Sequence, residues 1–477
     1  MFSTVHSKPH ANRKRMLAHV YSKSFLQSSA PSEAQSRIII HSRLLPKLRR
    51  LADDSPDKSV EVHALTNALT MDFTTAYLFG LANSSDFLRN DEKSKWQMRL
   101  FHCRRPSAFW AAELPGVVTF LSRLGLGECV APKFASDATR ALEDWGLEML
   151  DGAEALLSNA SDMKVEDTPV VYMQLRSALT QDDADTKKPS ESTIPVHNPR
   201  LSLASEMLDH LGAGQETSGI TLTYALWELA HNPKIQTALR EEILGLSPRL
   251  RQTPTISTTT NSSTTLPTLP SAKDIAALPL LDAVLTETLR LHAAIPGPEP
   301  RVTPYPRTLI TPATKKQPSG GVENLLSALP GGIRISSQPY TLHRLTSIFP
   351  EPETWNPSRW LLTTSTTTTT NQDDEAEEES ARRRAMSRHF WAFGSGGRMC
   401  IGSNLATQTM KLTIASVVAN FVILPIEEEE EEVDGVGKGK GGGGGKQQRM
   451  EQEDAYVAQP RGMRCMLRFE KIDLLID

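Results

Sequence analysis

Phe393–Gly402 reads FGSGGRMCIG, with four glycines, one arginine and one cysteine in ten residues. Each glycine costs about 0.5–1 kcal/mol relative to alanine inside a regular element, so the stretch reads as a loop. It delivers Cys400 to the start of a helical pattern, where the sulfur is available for chemistry as a thiolate. The plain alternative is a buried structural cysteine in a helix-capping loop. A second constellation, AGQETS at Ala213–Ser218, sets Glu216 beside Thr217 in the middle of a long helical pattern. Taken alone, a glycine-containing stretch with Glu and Thr in mid-helix is a weak signal of function. The plain reading is a tolerated kink or close helix packing, since mid-helix glycine costs about 1 kcal/mol over alanine. The third is Glu287-Thr288-Leu289-Arg290, whose three-residue spacing puts acid and base on one helical face. By its residues alone this is an ordinary ion pair worth a few tenths of a kcal/mol.

The elements that must carry these residues are mainly helical. Val62–Ala82 places apolar residues at three- and four-residue steps, and Ser202–Asn232 continues such a pattern until Pro233 stops it. The length of the second suggests a helix crossing the middle of a large domain. Leu278–His292 is a third amphipathic helix, ended by PGPEP. Leu412–Ile426 reads as a core helix running into a strand, and Gly332–Leu342 and Arg464–Ile472 are strand-like. The expected fold is mainly α with small β sheets. Ser/Thr, acidic and glycine-rich tracts interrupt it at 252–271, 361–384 and 427–454. None can bury enough apolar surface to offset its ordering entropy, so all three are expected to be disordered insertions in a single domain over 1–477. No internal repeat is visible.

Composition narrows the partners. A formal charge of −4 on 477 residues lacks the basic excess of a nucleic-acid-binding protein. The four cysteines, Cys103, Cys129, Cys400 and Cys465, lie far apart and form neither a disulfide framework nor a zinc spacing. They fit a reducing compartment. No run reaches the roughly 18–20 apolar residues of a membrane span. The first fifty residues hold ten Lys/Arg and one Glu, a composition open to a transit peptide or a basic helix.

Phe393, Gly396, Arg398, Cys400 and Gly402 fit F-x-x-G-x-R-x-C-x-G at every fixed position, and the loop resembles the haem-binding signature of the cytochrome P-450 family. The resemblance implies haem with Cys400 as axial iron ligand, Phe393 shielding the sulfur and Arg398 pairing with a propionate. Glycines such as Gly396 let the backbone pass under a porphyrin, peptide N–H groups temper the sulfur's charge, and a thiolate ligand favours O–O cleavage. AGQETS resembles the family's distal-helix motif, which makes Glu216 and Thr217 the proton-delivering pair. PETWNPSRW at Pro352–Trp360 resembles the family's meander, so that Arg359 joins Glu287 and Arg290 in a structural network under the haem. Pro296–Pro304 resembles the pocket-lining segment after the third helix. Arg301 there is a second propionate partner by resemblance and an exposed arginine by its residues alone. His343-Arg344 matches a local pattern read as packing. Phe2–Phe25 resembles the family's third helix, which favours a basic helix over a transit peptide there, with His10 and Lys14 as haem-edge candidates.

The fold implied is that of the family without its N-terminal anchor, first helices and part of the first sheet, since members carry about a hundred residues before this point. The activity implied is insertion of one oxygen atom of O2 into a small apolar substrate, with electrons from a separate NADPH-dependent reductase. The place implied is the cytosolic face of the endoplasmic reticulum membrane. A haem-thiolate isomerase or dehydratase and a non-catalytic haem-binding remnant are the alternatives. NADPH dependence separates the first from a monooxygenase.

Overall fold

The computed structural model describes residues 7–54, 59–185, 199–251, 266–303, 309–316, 322–361, 372–426 and 450–472. The chain enters through α1 (Ser7–Leu17) and α2 (Lys23–Ser28). Next, α3 (Ala30–Ile38) passes through a π-helical turn at Ile39–Leu44 into α4 (Leu45–Asp54). Strand β1 (Ser59–Glu61) ends on Glu61, whose carboxylate caps α5 (Val62–Phe79) by accepting from the backbone N–H groups of His63 and Ala64. Then come α6 (Asp91–Glu113), α7 (Pro115–Arg123), α8 (Lys133–Ser158) and α9 (Val170–Asp185).

The long helix is α10 (Pro199–His231), which begins three residues before its expected start and stops at Pro233 as expected. It lies along α5, and small and hydroxylated residues set their spacing. A Cβ on Gly214 would sit 2.5 Å from Thr74 Oγ1, so only glycine permits this approach. Thr70 donates to the Gln215 carbonyl at 2.8 Å, and the Thr66 and Thr223 hydroxyls pair at 2.8 Å. The crossing therefore fixes where the AGQETS turn lies.

After α11 (Pro233–Leu244), α12 (Ala272–Ala276) and α13 (Pro279–Leu291) come strands β2 (Glu299–Val302), β3 (Leu309–Lys316), β4 (Val322–Leu329) and β5 (Arg334–Ser337). The chain then forms α14 (Pro339–Leu342), α15 (Gln372–His389), α16 (Ser403–Asn420), β6 (Phe421–Pro425) and β7 (Met466–Lys471). All sheets are antiparallel, ordered β1-β7-β6, β2-β5 and β3-β4. One contiguous apolar core runs from Leu17 to Phe469, joining α1, α5, α10, α13, α16 and the β1-β7-β6 sheet.

Two expectations change. The strand expected over Gly332–Leu342 ends at Ser337, because Pro339 opens α14 instead. The interruptions are shorter than 252–271, 361–384 and 427–454. Leu269 and Pro270 are buried, Gln372–Ser380 and the basic run after it form α15, and Gln452 pairs with Pro460. The helix survives in its charged sequence because Glu379 pairs with Arg382 and Arg383 one turn on, at 2.7 and 3.0 Å. Arg382 also donates to the Arg359 carbonyl at 3.2 Å, which docks α15 on the meander. The remainder of the three tracts, 252–265, 362–371 and 427–449, lies outside the described residues.

Candidate functional site

The Cys400 loop is shaped by two glycines with left-handed backbone. Gly394 has φ +70° and Gly396 has φ +67°, a region open to glycine at no steric cost. A Cβ at Gly394 would also press on the Glu299 carboxylate at 3.0 Å, whereas one at Gly396 or Gly397 would meet nothing within 4 Å. The Cys400 N–H donates to the Phe393 carbonyl at 2.8 Å, closing the loop on itself, and Phe393 packs half-buried against the core. Cys400 is open to solvent, yet burial in the surrounding protein pushes its thiol up. The backbone N–H groups of Gly402 and Ser403, at the start of α16, and the Lys14 ammonium pull the thiol back down. These groups favour a thiolate.

Four basic side chains from three segments gather around this loop. The Lys14 ammonium on α1 donates to the Gly397 and Met399 carbonyls at 3.1 and 2.6 Å. Arg301 on β2 donates to the Ser395 carbonyl at 3.3 Å and pairs with Glu299 at 3.4 Å. Burial lowers the pKa of His10, and the charges of Arg398 and Lys14 lower it further. Burial likewise lowers Arg398, and Arg301 adds to the effect. The mutual repulsion shows that the cations lie close together, an arrangement that suits a ligand carrying carboxylates. The structure thus brings His10, Lys14, Arg301 and Arg398 together beside Cys400, although Lys14 holds loop carbonyls in addition to any role toward an anion.

On α10, Ala213 is exposed and Thr217, four residues on, is half-buried, while Gln215, Glu216 and Ser218 are buried. Ala213 and Thr217 therefore mark the one face of this turn that opens outward. The Thr217 hydroxyl donates back to the Ala213 carbonyl at 2.9 Å. Glu216 points elsewhere: its carboxylate approaches His102 of α6 at 3.9 Å. Next to it the side-chain amides of Gln215 and Gln97 exchange hydrogen bonds at 2.7 and 2.9 Å, tying α6 to the motif. The acid and the hydroxyl are sequence neighbours on different faces.

The structural network is assembled around Glu287, which is fully buried with Arg290. Oε1 accepts from Arg290 Nη2 at 2.8 Å, Arg359 Nε at 2.9 Å and the Asn356 N–H at 2.9 Å. Oε2 accepts from Arg290 Nε at 2.9 Å and Trp360 Nε1 at 2.8 Å. Arg290 also donates to the carbonyls of His343, Pro352 and Thr354. An ion pair read as superficial from its spacing is instead the best-satisfied charge cluster of the site.

His343 is fully buried, and its pKa is lowered to about 4, first by burial and then by the charges of Arg290 and Arg344. Its neutral form is what the fold stabilises. The contribution is complete above the unfolded value of 6.5 and is lost as pH falls toward 4, reaching about 3 kcal/mol. Buried His41, lowered to about 4 by burial, Arg37 and Arg49, acts in the same sense. Denaturant midpoints of the apoprotein should therefore fall between pH 6.5 and 4.5. They should fall less steeply in His343→Gln; equal slopes would show that His343 does not carry the effect.

Several contacts had no signal in the sequence. Asn404 on α16 donates to the Tyr21 carbonyl at 3.0 Å, fastening the α1–α2 turn beside the loop. The Tyr21 hydroxyl meets His210 of α10 at 3.1 Å. His102 opposite Glu216 and Glu299 under Gly394 belong with these, since each pairs residues far apart along the chain.

Comparison with known proteins gives this arrangement a class. The cytochrome P-450 family model matches residues 186–436, more than half of the chain, and the chain belongs to the cytochrome P-450 family. It is 28% identical over 409 residues to the cytochrome P-450 monooxygenase avaI of Aspergillus versicolor, covering 85% of this chain and 80% of that protein. It is 25% identical over 454 residues to the cytochrome P-450 monooxygenase FGM1 of Gibberella zeae, covering 94% of this chain and 73% of that protein. To tazI of Aspergillus terreus it is 33% identical over 214 residues, 44% of this chain and 33% of the relative. Membership carries an enzyme class, oxidoreductase with incorporation of molecular oxygen, and a haem cofactor. The residues present fit that group: a thiol supported by backbone N–H donors, a cluster of cations for its carboxylates, and open space over Gly396 and Gly397.

Proposed function

We propose that the chain inserts one oxygen atom of O2 into a small apolar substrate, drawing electrons from a separate NADPH-dependent reductase. The observation that carries this is a solvent-open Cys400 at the end of a glycine loop, with the Gly402 and Ser403 N–H groups on its sulfur and the cations of α1, β2 and the loop near it. Bound haem supplies the activation of oxygen. In this reading Cys400 would hold the haem iron through its thiolate and Phe393 would screen that sulfur from water. Arg398, Arg301, His10 and Lys14 would neutralise the haem carboxylates, and Gly396 would leave room for the group beside the loop. Glu287, Arg290 and Arg359 would serve as a structural network that holds the meander on α13.

Thr217 is the proton donor on the open face of α10. Its Oγ1–H is bonded to the Ala213 carbonyl, so delivery requires rotation about χ1 away from that carbonyl. Glu216 recharges it by swinging from the α6 side to the Thr217 side. The test reconstitutes the holoprotein with such a reductase and a small apolar compound chosen because it shifts the haem absorption. One atom of ¹⁸O per product, dependent on NADPH and ¹⁸O2, is expected. Turnover of a hydroperoxide without NADPH or O2, and no ¹⁸O in any product, would place the chain with the isomerases instead.

Among the described residues no helix is long and apolar enough to cross a membrane. Association with the endoplasmic reticulum surface is supported instead by α7, which buries no residue. Phe120 is 61% and Leu124 58% exposed, and Leu114, Val117 and Leu126 on the same stretch of chain are exposed too. Monomeric proteins seldom leave such a patch uncovered. Phe120→Glu with Leu124→Glu is expected to weaken co-sedimentation with phosphatidylcholine vesicles by about tenfold or more, at unchanged thermal stability. Equal sedimentation would remove α7 as the contact.

A further inference from the structure

The geometry points to His343 as the residue that positions the Cys400 loop against the Glu287–Arg290 network, an inference that rests on Cys400 being the iron ligand. His343 follows α14 and is completely buried, with its two ring nitrogens facing partners of opposite kind. Nδ1 lies 2.8 Å from the Arg290 carbonyl, and Nε2 lies 2.8 Å from the Trp391 N–H. A carbonyl only accepts and a peptide N–H only donates. The ring is therefore neutral, with its proton on Nδ1, and it passes one hydrogen bond on each side.

Trp391 stands two residues before Phe393, whose carbonyl receives the Cys400 N–H at 2.8 Å. The path from α13 to the cysteine is thus Arg290 carbonyl, His343 ring, Trp391 amide, Phe393 carbonyl, Cys400 amide, and the imidazole is its sole side chain. The link to Arg290 runs both ways, because Arg290 Nη1 donates to the His343 carbonyl at 2.9 Å. Aromatic packing fixes the ring plane: Phe390 stacks on it with centroids 5.5 Å apart and planes at 14°. Trp360, which donates to Glu287, meets Phe390 edge-on at 5.6 Å. His343 therefore converts the rigidity of the buried charge cluster into a fixed position for the loop. A metal ligand has to be held to within about 0.5 Å for productive geometry, and supporting groups of this kind are worth about 10- to 100-fold in affinity or activity.

A packing role and a hydrogen-bonding role separate by substitution. His343→Phe fills the space but neither donates nor accepts. His343→Gln offers an amide N–H to Arg290 and an oxygen to Trp391. Two readouts are taken: the ratio of thiolate-type to thiol-type Soret band in the reduced carbon-monoxide complex, and amide hydrogen exchange at Trp391 in the apoprotein. His343→Phe is expected to lower the ratio and speed exchange by about tenfold or more, with His343→Gln within about threefold of wild type on both. An unchanged ratio in His343→Phe overturns the role, as does equal damage in two folded variants, which would mean packing alone. If His343→Phe does not fold, the glutamine variant decides. An unchanged ratio there supports the strut, and a collapsed one overturns it. A wild-type chain lacking the thiolate band would overturn the ligand assignment instead, and Trp391 exchange would then decide whether His343 holds the loop.

Discussion

Glu287→Ala should destabilise the protein by about 3–5 kcal/mol, a large part of the stability typical of one domain. The carboxylate is fully buried and satisfies Arg290, Arg359, Trp360 and the Asn356 N–H together. Removing it leaves a buried guanidinium whose desolvation is no longer offset, and it frees the meander from α13 at the same time. Glu287→Gln should recover part of this loss, because the amide oxygen still accepts while the charge is gone. The comparison that gives the result meaning is Glu92→Ala. Glu92 pairs with Lys95 at 3.0 Å with the same three-residue offset as Glu287 and Arg290, but both side chains are mostly exposed. Solvent screens that pair, so its loss should shift stability little. Urea midpoints of the three variants decide the matter. Similar shifts in Glu287→Ala and Glu92→Ala would show that burial has not raised the worth of the pair.

The same contrast shows what the sequence could and could not disclose. Spacing put Glu287 and Arg290 on one helical face, but burial is a property of what packs over that face. The covering element is the meander, tens of residues away, and α15 docks on it in turn. The lengths of the central helices were legible because apolar periodicity and proline stops are local signals, and α16 running into β6 was legible for the same reason. The helical part of the second tract was hidden, because its support comes from charge pairs and from docking on Arg359 rather than from an apolar stripe. Within the site, glycine content announced the loop and its cysteine. The direction of Glu216 could not be read, since neighbours on a helix diverge by about 100° and only α6 decides which one is engaged.

Cys400→Ala should abolish the thiolate-type Soret band of the reduced carbon-monoxide complex and lower turnover by at least about a hundredfold. The argument depends on place rather than on residue type, for the chain has four cysteines. Among the described residues Cys465 is buried in the core and Cys129 is exposed at a short turn, whereas Cys400 is the cysteine whose charge acts on Lys14. Cys129→Ala should therefore leave spectrum and stability unchanged, and Cys465→Ala should cost stability without changing the band. Haem retention in Cys400→Ala should fall but persist in part, because His10, Lys14, Arg301 and Arg398 remain to hold the carboxylates. Adding Arg398→Ala should then remove most of the remainder, which separates the ligand's contribution from that of the cations. The outcome that would sink this division is full haem loss in Cys400→Ala alone with the fold intact. Binding would then rest on the sulfur, and the four cations would have another purpose.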